Sequence, residues 1–430
     1  MKITELYKIY KQNPVITTDT RKCVPYSMFF ALKGENFDGN DYIEQALEQG
    51  CAYVVGDNPE LPKNNHHIIP VKNVLHTLQE LARFHRRTLQ IPVIGITGTN
   101  GKTTTKELIA AVLSSKYNVL YTQGNLNNHI GVPLTLLSMT EKHDIAVIEM
   151  GANHLGEIAE LAAIAEPNYG LITNVGKAHL EGFGSFENVI KTKSELYHFL
   201  GKTGGKIFIN QDNPYLNAVP VDAEKTYYGT QPGIFIRGEI VESDSPFLTL
   251  KWFIDQQGYE VKTQLIGNYN FENVLAAAAI GTYFKVEPDK ICEALTNYSP
   301  QNNRSQLLET SKNHLIVDAY NANPTSMLAS LENFSKMRFS HKAVILGDMK
   351  ELGKDSVSEH QKILDFIDKA QFEKVFLCGE IFSDLSKNKY PSFPHVEQLV
   401  EDLKNENLKE YYILIKGSRG IKLEKVIDYL

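Results

Sequence analysis

The sequence predicts an α/β protein of three domains: a small mixed α/β domain at residues 1–88 and two doubly wound α/β domains at residues 89–299 and 300–430. Two observations favour this fold class. Short apolar strands alternate with helical segments through the last two thirds of the chain, which is typical of βαβ units around a parallel sheet. The length of 430 residues is also enough for roughly two to four domains.

The first domain is predicted from short apolar runs and from the helical spacing of its apolar residues. Its predicted elements are a helix at Ile3–Tyr10, a strand at Ser27–Leu32, a helix at Tyr42–Gln49, a strand at Ala52–Val55 and a closing helix at Val74–Thr88.

The central domain begins with a buried-strand signature and continues as strands and helices in alternation. The predicted strands are Ile91–Thr97, His143–Glu149, Gly170–Asn174 and Lys206–Asn210, and the predicted helices are Lys102–Ser114, Leu155–Ala165, Phe186–Phe199 and Phe271–Phe284. Residues 224–266 are rich in β-formers, so we expect them to add antiparallel strands to this domain.

The third domain repeats the alternation of strands and helices. The polar stretch Tyr298–Arg304 contains a proline and lacks apolar periodicity, which predicts the domain boundary there. The predicted strands that follow are His314–Asp318, Lys342–Leu346, Lys374–Cys378 and Tyr411–Lys416.

The composition excludes several classes of protein. The chain has 44 Lys and Arg against 51 Asp and Glu, a net charge of −7 that argues against nucleic-acid binding and a polybasic membrane contact. The four cysteines are far apart with no Cys-x-x-Cys pair, so a zinc site, a redox dithiol and a disulfide framework are all unexpected. We find neither a secretory signal nor a window near the roughly 18 apolar residues of a membrane span, and therefore expect a cytoplasmic protein.

The strongest local signal is the glycine-rich segment Gly95–Thr104, which follows a predicted strand and opens a predicted helix. Gly98 and Gly101 allow a tight turn whose N–H groups point at phosphate oxygens, and the helix N-terminus adds partial positive charge. Lys102 would reach the terminal phosphates, and the Thr103 hydroxyl suits Mg²⁺. One glycine of the general P-loop pattern is missing, so a plain tight turn before a helix is the alternative.

Glu149 ends the second predicted strand of the central domain. Ligands of open parallel sheets bind at the carboxyl ends of the strands, and a carboxylate there can hold Mg²⁺ directly or through water. A surface charge is the alternative.

Together with further motifs in a fixed order, these residues resemble the ATP-dependent Mur ligase family over essentially the whole chain. The motifs that carry the resemblance are Asp19–Arg21, Phe29–Gly34, Asp38–Gly39, Thr97–Thr103, Gly124–Thr135, Glu149–Ala152, Thr173–His179, Lys193–Tyr197, Asn270–Asn273, Asp318–Met327 and Leu346–Gly353. The family implies an N-terminal UDP-substrate domain, a central P-loop-type ATPase domain and a C-terminal Rossmann-like domain that receives an amine.

The activity that the resemblance implies is an ATP-driven amide ligation in peptidoglycan synthesis. The blocks Tyr320–Pro324 and Leu346–Met349 are similar to those of the member that joins D-alanyl-D-alanine to UDP-N-acetylmuramoyl-tripeptide. An acyl phosphate would be the intermediate of this reaction. We expect a monomer.

The resemblance implies a nucleotide site shared by the last two domains. The residues expected to bind ATP are Gly98, Thr99, Asn100, Gly101, Lys102, Thr103 and Thr104 of the loop, Asn270 and Asn273 near the adenosine, and Arg304, Asp318, Asn321 and Asn323 of the C-terminal domain. The residues expected to be catalytic are Lys102, His179 and Lys193.

The resemblance also implies two Mg²⁺ sites. Thr103 and Glu149 would bind the first ion, and His179 and Lys193 the second. For this, Lys193 would carry a carbamate derived from CO₂, which turns a cation into an anionic ligand. The alternatives are a packed or surface role for His179 and a solvated helix lysine at position 193; Lys191 is a nearby competitor, and spacing favours Lys193.

The substrates would be bound by residues in predicted turns and loops. The candidates are Thr20, Arg21, Lys33 and Asp38 for the UDP part, Asn127 and Asn128 for the muramoyl part, and Ser326 and Asp348 for D-alanyl-D-alanine. The segment Lys416–Arg419 either binds the carboxylate of D-alanyl-D-alanine or forms a basic surface turn.

The main alternative is the sister ligase that adds a diamino acid to a UDP-muramoyl dipeptide. That enzyme carries Asp-Asn-Pro-Arg in its C-terminal domain, whereas Asp-Asn-Pro occurs here at Asp57–Glu60 and Asp212–Tyr215, in the first two domains and without Arg. A folylpolyglutamate synthetase would share the central loop but not the N-terminal Asp-Thr-Arg block. A P-loop regulatory switch would need a guanine-reading motif such as Asn-Lys-x-Asp, which is absent from the sequence.

Overall fold

The computed structural model describes residues 1–62, 64–242, 245–300, 304–386 and 389–430. The first part of the chain contains α1 (Ile3–Gln12), β1 (Val15–Thr17), β2 (Ser27–Phe30), α2 (Ile43–Glu48), β3 (Tyr53–Gly56), β4 (Ile68–Pro70) and α3 (Val74–Leu89). The four strands form one parallel sheet in the order β1-β2-β3-β4. All four carboxyl ends therefore lie at one edge.

The central part is built on a larger sheet. Its elements are β5 (Val93–Thr97), α4 (Lys102–Ser114), β6 (Val119–Tyr121), α5 (Gly131–Leu137), β7 (Ile145–Glu149), α6 (Glu157–Ala165), β8 (Tyr169–Ile172), α7 (Leu180–Phe183), α8 (Phe186–Thr203), β9 (Lys206–Asn210), α9 (Pro214–Asn217), β10 (Glu224–Gly229), β11 (Ile236–Val241), β12 (Phe247–Ile254), β13 (Gln257–Ile266), α10 (Phe271–Tyr283) and α11 (Pro288–Asn297). The strand order is β13-β12-β11-β10-β9-β8-β5-β7-β6. The phosphate-loop strand β5 lies between β8 and β7.

The third sheet contains the remaining strands. The elements are β14 (Gln306–Glu309), β15 (His314–Asp318), α12 (Pro324–Lys336), β16 (Lys342–Gly347), α13 (Ser356–Ala370), β17 (Lys374–Cys378), α14 (Glu380–Ser386), β18 (Ser392–Phe393), α15 (Val396–Leu403) and β19 (Tyr412–Lys416). The order is β14-β15-β19-β16-β17-β18. Every pairing is parallel except β14 with β15.

Both faces of the central sheet are covered, as a doubly wound fold requires. Ile94 and Ile96 of β5 pack with Leu108 of α4 on one face, in a cluster that also takes in α10 and α11. Val93 of the same strand belongs to a second cluster with Leu196 of α8 on the opposite face. The alternating side-chain directions of one strand thus bury it on both sides.

Helix α3 joins the first sheet to the central one. Its residues Leu78 and Leu81 are fully buried in the cluster that contains Val132 and Leu136 of α5. The predicted helix at Val74–Thr88 is therefore confirmed, and it forms part of the contact between the two sheets.

One prediction about the central sheet is wrong. Residues 224–266 are not entirely an antiparallel addition, because β10 pairs in parallel with both β9 and β11. The connection from β9 to β10 contains α9, and a helical crossover of this kind is what returns a chain to a parallel strand. The pairs β11–β12 and β12–β13 are antiparallel, as predicted.

The predicted boundary at Tyr298–Arg304 includes residues 301–303, which lie outside the described residues. In the part of the chain that the structure covers, no helix combines the length and hydrophobicity that crossing a bilayer requires.

Candidate active site

The glycine-rich loop joins β5 to α4 and depends on two glycines. Gly98 has φ +144° and Gly101 has φ +75°, which are backbone conformations that favour glycine. A Cβ at Gly98 would lie 2.0 Å from Thr173 Oγ1, and one at Gly101 would lie 2.6 Å from Asn273 Oδ1. The loop is thus closely packed against neighbouring segments as well as tightly turned.

The segment after β8 fixes the loop from one side. The Asn100 amide donates to Asn174 Oδ1 over 2.9 Å, and Thr173 Oγ1 donates to the Asn100 carbonyl over 2.6 Å. The Gly176 amide donates to Thr99 Oγ1 over 3.0 Å. Two adjacent carboxyl strand ends are therefore joined through the loop.

Lys102 folds back over the loop that it follows. Its Nζ donates to the Gly98 carbonyl over 2.9 Å and to the Thr99 carbonyl over 3.0 Å. Burial lowers the pKa of Lys102, the Glu149 carboxylate opposes that shift, and the Arg304 guanidinium adds to it. Two ligand candidates from different domains, Glu149 and Arg304, thus act electrostatically on the phosphate-loop lysine.

Thr103 and Glu149 are in contact, as the predicted magnesium site requires. Glu149 is 1% exposed, and its Oε1 accepts from Thr103 Oγ1 over 3.2 Å and from Asn127 Nδ2 over 2.8 Å. Its Oε2 has no hydrogen-bond partner in the described part of the chain and lies 4.0 Å from Lys106 Nζ. A buried, incompletely satisfied carboxylate oxygen is costly, and with the threonine hydroxyl it fits the oxygen ligands that Mg²⁺ prefers.

Lys193 is buried on α8, which begins at a Ser185 cap and ends at Gly204 in the left-handed region. Its Nζ donates to the Ala152 carbonyl over 3.2 Å, and its side chain is 2% exposed. Burial places the pKa of Lys193 well below its usual range, and the charge of Lys102 lowers it further. Lys191, the competitor on the same helix, is exposed.

His179 lies where the central and C-terminal parts meet. It adopts a left-handed backbone with φ 50°, and its Nδ1 contacts the Glu351 carboxylate. Among the described residues, no group of three or more His, Cys, Asp and Glu side chains could hold a metal. A second metal site at His179 therefore stays a prediction that depends on Lys193.

Asn270 and Asn273 are buried beneath the loop rather than free at its mouth. Asn273 Nδ2 donates to Asn270 Oδ1 over 3.0 Å, and Asn273 Oδ1 accepts from Thr105 Oγ1 over 3.0 Å. The pair anchors the start of α10 to α4. Its predicted contact with adenosine is not tested by this geometry.

The C-terminal part reaches the loop through Asn323, which caps α12. Its Nδ2 donates to Asn100 Oδ1 over 2.7 Å. Nearby, Lys177 of the central part contacts both α12 and α13. Its amide donates to Thr325 Oγ1 over 3.1 Å, and its Nζ lies 3.1 Å from Glu359 Oε1. Two of the predicted nucleotide-binding residues, Asn100 and Asn323, are therefore in contact between the central and C-terminal parts, and the nucleotide site itself stays a prediction.

Three more predicted nucleotide residues have partners inside the C-terminal part. Asp318 is ion-paired with Lys416, which is buried, and accepts from Ser330 Oγ over 3.2 Å. The Arg304 guanidinium stacks 3.6 Å from the centre of the Tyr320 ring. Asn321 Oδ1 accepts from the neighbouring Ala322 amide over 2.9 Å.

The pair Asp318–Lys416 also shows which residue of the Lys416–Arg419 segment is exposed, while the choice between a carboxylate site and a basic surface turn stays a prediction. Lys416 is buried and paired, so it is not part of a basic surface turn, whereas Arg419 is exposed. Arg419 lies 5.6 Å from the Tyr320 ring. It is the member of the Lys416–Arg419 segment that a ligand can reach.

The predicted UDP-binding residues lie at the carboxyl edge of the first sheet. Thr20 and Arg21 follow β1, and Arg21 pairs with Asp19 over 2.8 Å. Lys33 follows β2, and its Nζ lies 3.2 Å from Asp38 Oδ2. These residues are thus placed at the edge where ligands of parallel sheets bind.

Four predicted substrate residues have structural contacts instead of free polar groups. Asn127 Nδ2 donates to Glu149 Oε1, so Asn127 lies beside a predicted Mg²⁺ ligand. The others cap helices: Asn128 Oδ1 accepts from the Gly131 amide over 2.9 Å, Ser326 bonds the Asn323 amide over 3.1 Å, and Asp348 accepts from the Ile381 and Phe382 amides, each over 3.0 Å. A side chain whose polar atoms are occupied in this way has little left for a substrate, so the substrate roles of these four stay predictions without support from their contacts.

Two residues near the site were missed by the sequence reasoning. Lys106 is fully buried, donates to the Thr122 carbonyl over 2.7 Å and faces Glu149. Its position four residues after Lys102 places both on one helix face, which is the signal that could have found it. Glu351, the partner of His179, follows β16 at a carboxyl strand end and could have been found by the rule applied to Glu149.

Comparison with known proteins covers nearly the whole chain. Residues 14–86 match the family model "Mur ligase family, catalytic domain", residues 96–281 match "Mur ligase middle domain", and residues 303–419 match "Mur ligase, glutamate ligase domain". The chain is 36% identical over 435 residues to the UDP-N-acetylmuramoyl-tripeptide–D-alanyl-D-alanine ligase of Bacillus subtilis, covering 98% of this chain and 94% of that protein.

Solved structures agree with the sequence matches. A crystal structure of MurF from Acinetobacter baumannii superposes with a TM-score of 0.88 at 27% identity and covers 99% of this chain and 98% of that one. MurF ligase from Thermotoga maritima, in complex with ADP, gives a TM-score of 0.86 at 26% identity with 97% of each chain covered. With three family domains in order and a full-length relative at this identity, the chain belongs to the Mur ligase family.

Proposed function

We propose that this protein is an ATP-dependent ligase that joins D-alanyl-D-alanine to UDP-N-acetylmuramoyl-tripeptide in peptidoglycan synthesis. The relative from Bacillus subtilis bears the name of this activity. The observation that carries the proposal is the phosphate loop itself, which places Lys102 and the Thr103–Glu149 pair in one segment and contacts Asn323 of the C-terminal part through Asn100. The reaction takes place in the cytoplasm, where ATP is supplied.

The chemistry begins with a carboxylate that is a poor electrophile. Its attack on the γ-phosphate of ATP forms an acyl phosphate, and the amine of D-alanyl-D-alanine then displaces phosphate through a tetrahedral intermediate. Both steps develop negative charge, which fixed cations and oriented donors stabilise. Lys102 exchanges its two carbonyl partners in the loop for phosphate oxygens.

Thr103 and Glu149 are the residues that would hold Mg²⁺ beside those phosphates. The ion supplies positive charge that offsets repulsion between the acid and the triphosphate. Asn127 keeps the Glu149 carboxylate in place through Oε1, so that Oε2 is left for the metal. Lys106 Nζ lies 4.0 Å from Oε2, too far for a hydrogen bond.

Lys193 and His179 would hold a second ion, with Lys193 carrying a carbamate. Carbamylation by CO₂ requires a neutral amine, and a lysine whose pKa is lowered by burial and by the charge of Lys102 is disposed to be neutral. A test compares Lys193→Ala with the matched control Lys191→Ala on the same helix. We expect Lys193→Ala to abolish activity and a small carboxylic acid to restore part of it; full activity of Lys193→Ala would exclude the role.

The contacts between the last two domains keep water away from the reactive intermediate. Asn100 with Asn323 and Lys177 with Glu359 hold the C-terminal part against the loop. The first sheet presents Arg21 and Lys33 at its carboxyl edge, where they would bind the pyrophosphate of the UDP-linked acid. Arg419, exposed at the end of β19, would bind the carboxylate of the incoming dipeptide.

The test is phosphate release from ATP with defined pairs of substrates. We expect release only when D-alanyl-D-alanine and the UDP-tripeptide are both present. Release supported by a free diamino acid with a UDP-dipeptide would show the sister ligase instead. Lys102→Met should abolish release, whereas Lys202→Met, at an exposed lysine of α8, should leave it unchanged.

A further inference from the structure

Two cysteines that are distant in the sequence lie side by side in the first domain. Cys51 Sγ donates to Cys23 Sγ over 2.8 Å, although the two residues are 28 positions apart. All four cysteines of the chain are free thiols in the structure. The sequence gives no sign of this pair, because the fold and not the spacing brings the two sulfurs together.

The two thiols differ in their access to solvent. Cys51 is 5% exposed and is part of the apolar cluster under α2, whereas Cys23 is only partly buried. Ser27 Oγ lies 3.1 Å from Cys51 Sγ on the side of β2. Cys51 Sγ is therefore confined between Ser27 and Cys23, and Cys23 is the thiol that a reagent meets first.

We propose that Cys23 and Cys51 form a reversible disulfide when the protein meets a low-molecular-weight disulfide such as glutathione disulfide. The thiolate of Cys23 attacks one sulfur of the reagent and releases one thiol, leaving a mixed disulfide at Cys23. The thiolate of Cys51 then attacks Cys23 Sγ and releases the second thiol. Two protein thiols are oxidised, one small disulfide is reduced to two thiols, and the two protons of the protein leave with them.

The geometry favours ring closure over a stable mixed disulfide. A disulfide bond is about 2.05 Å long, so the two sulfurs must approach each other by less than 1 Å from their 2.8 Å separation. Cys23 follows the short helical turn Thr20–Lys22 and lies outside every strand, so it can move without breaking a sheet pairing. Burial and the neighbouring thiol raise the pKa of Cys23 to about 12, which makes the reaction slow because the thiolate is the nucleophile.

The disulfide would constrain the edge of the sheet that carries Arg21 and Lys33. Its ring of residues 23–51 encloses β2 and α2, and Cys23 comes directly after the turn Thr20–Lys22. Oxidation therefore ties that turn to the chain just before β3. Any effect on the UDP-linked substrate rests on the proposed function, but disulfide formation itself does not.

The experiment counts thiols in the full-length protein. Reduced protein is incubated with glutathione disulfide, denatured and alkylated. Mass spectrometry then gives the mass of the intact protein, and peptide mapping identifies which cysteines are linked. We expect two of the four thiols to be lost, a peptide that links Cys23 to Cys51, and recovery of all thiols with dithiothreitol. Persistence of four thiols, a stable glutathione adduct at Cys23 or a disulfide-linked dimer would each overturn the proposal.

Two variants serve as controls. Cys23→Ser, at the more accessible position, should leave its three remaining thiols unoxidised, and Cys23→Ala repeats the test if the serine variant is unstable. Cys292→Ser, at a half-buried cysteine of α11, should still form the disulfide. Because the experiment measures the number of thiols and not turnover, a failure of the disulfide proposal is distinguishable from a failure of the proposed ligase activity.

Discussion

Gly98→Ala tests whether the phosphate loop is as tightly constrained as the structure indicates. At Gly98 a Cβ would lie 2.0 Å from Thr173 Oγ1 and 3.0 Å from the Thr173 amide nitrogen. The φ of +144° is also one that side-chain-bearing residues rarely adopt. Alanine must therefore strain the backbone and displace the segment after β8 that fixes the loop.

The expected loss of stability follows from these two effects. A residue held in a backbone region that belongs to glycine costs about 1–3 kcal/mol, and overpacking a buried contact costs about 1–3 kcal/mol. The sum is roughly 2–6 kcal/mol, a large fraction of the stability of a domain. Nucleotide affinity should fall with it, because a displaced Thr173 no longer holds the Asn100 carbonyl.

The assay uses the only tryptophan of the chain. Trp252 is fully buried in the central domain, so its fluorescence during urea unfolding reports on the domain that carries the loop. Calorimetric titration with ADP measures affinity on the same samples. We expect a lower urea midpoint and at least about a tenfold weaker affinity, which corresponds to about 1.4 kcal/mol.

Two glycines of the same chain separate the two effects. Gly156 has φ +90° but, within the described residues and apart from its chain neighbours, no atom lies within 4 Å of its hypothetical Cβ. Gly420 has no such neighbour either, and its φ is not positive. Gly156→Ala should show the backbone cost alone and Gly420→Ala almost none. If Gly98→Ala loses no more stability than Gly156→Ala, the reasoning about the contact with Thr173 is refuted. Thr173→Ala in the Gly98→Ala background should recover part of the loss, since it removes the nearest atom.

Three further predictions concern charges in the fold. Glu149→Gln should lower activity by ~100-fold or more and raise the Mg²⁺ concentration needed for activity, since it neutralises a predicted Mg²⁺ ligand. Glu141→Gln, at a carboxylate that is 78% exposed, is the control. An unchanged Mg²⁺ titration of Glu149→Gln would contradict the role of Glu149 as a ligand. Burial opposes ionisation of Glu166, but hydrogen bonds from Arg87 and Arg83 outweigh burial and lower the pKa of Glu166 below 4.5. The ionised Glu166 therefore stabilises the fold above pH 4.5, and this stabilisation is lost as the pH falls through the pKa of Glu166 in the folded protein. Glu166→Gln should therefore cost ~1 kcal/mol at neutral pH and little in acid, as urea unfolding at both pH values would show; an equal cost at both would count against the ion pairs. Lys416→Met leaves Asp318, whose side chain is 15% exposed, without its buried partner and should cost ~3 kcal/mol, the lower end of the range for a buried pair. Combining Lys416→Met with Asp318→Asn should recover part of that loss; if the double variant is no more stable than the single one, the ion pair does not stabilise the ends of the two strands.

The sequence alone was sufficient for features that depend on neighbouring residues. The loop from Gly98 to Lys102 could be predicted because strand, glycines, lysine and helix follow one another in a short segment. Helix α4, Lys102–Ser114, and strand β9, Lys206–Asn210, have the predicted bounds. Periodicity and loop chemistry are local, so a single sequence contains them.

Features that depend on long-range contacts could not be predicted in the same way. The substrate role of Asn127 stays a prediction, but its hydrogen bond to Glu149, 22 positions away, does not follow from the sequence. The same holds for Asp348, whose two carboxylate oxygens cap α14, more than 30 positions away. Polar residues at the ends of strands are equally suited to ligands and to helix caps, and only the fold decides between the two.

The distribution of charge explains why this site suits a polyphosphate. Burial and, after it, the Arg304 guanidinium lower the pKa of Lys102, and burial and the charge of Lys102 lower the pKa of Lys193. Glu149 opposes the shift at Lys102 but does not reverse it. Burying like charges together is unfavourable in the absence of an anion. A bound triphosphate would supply that anion, so it should raise the pKa of Lys102 relative to the free protein.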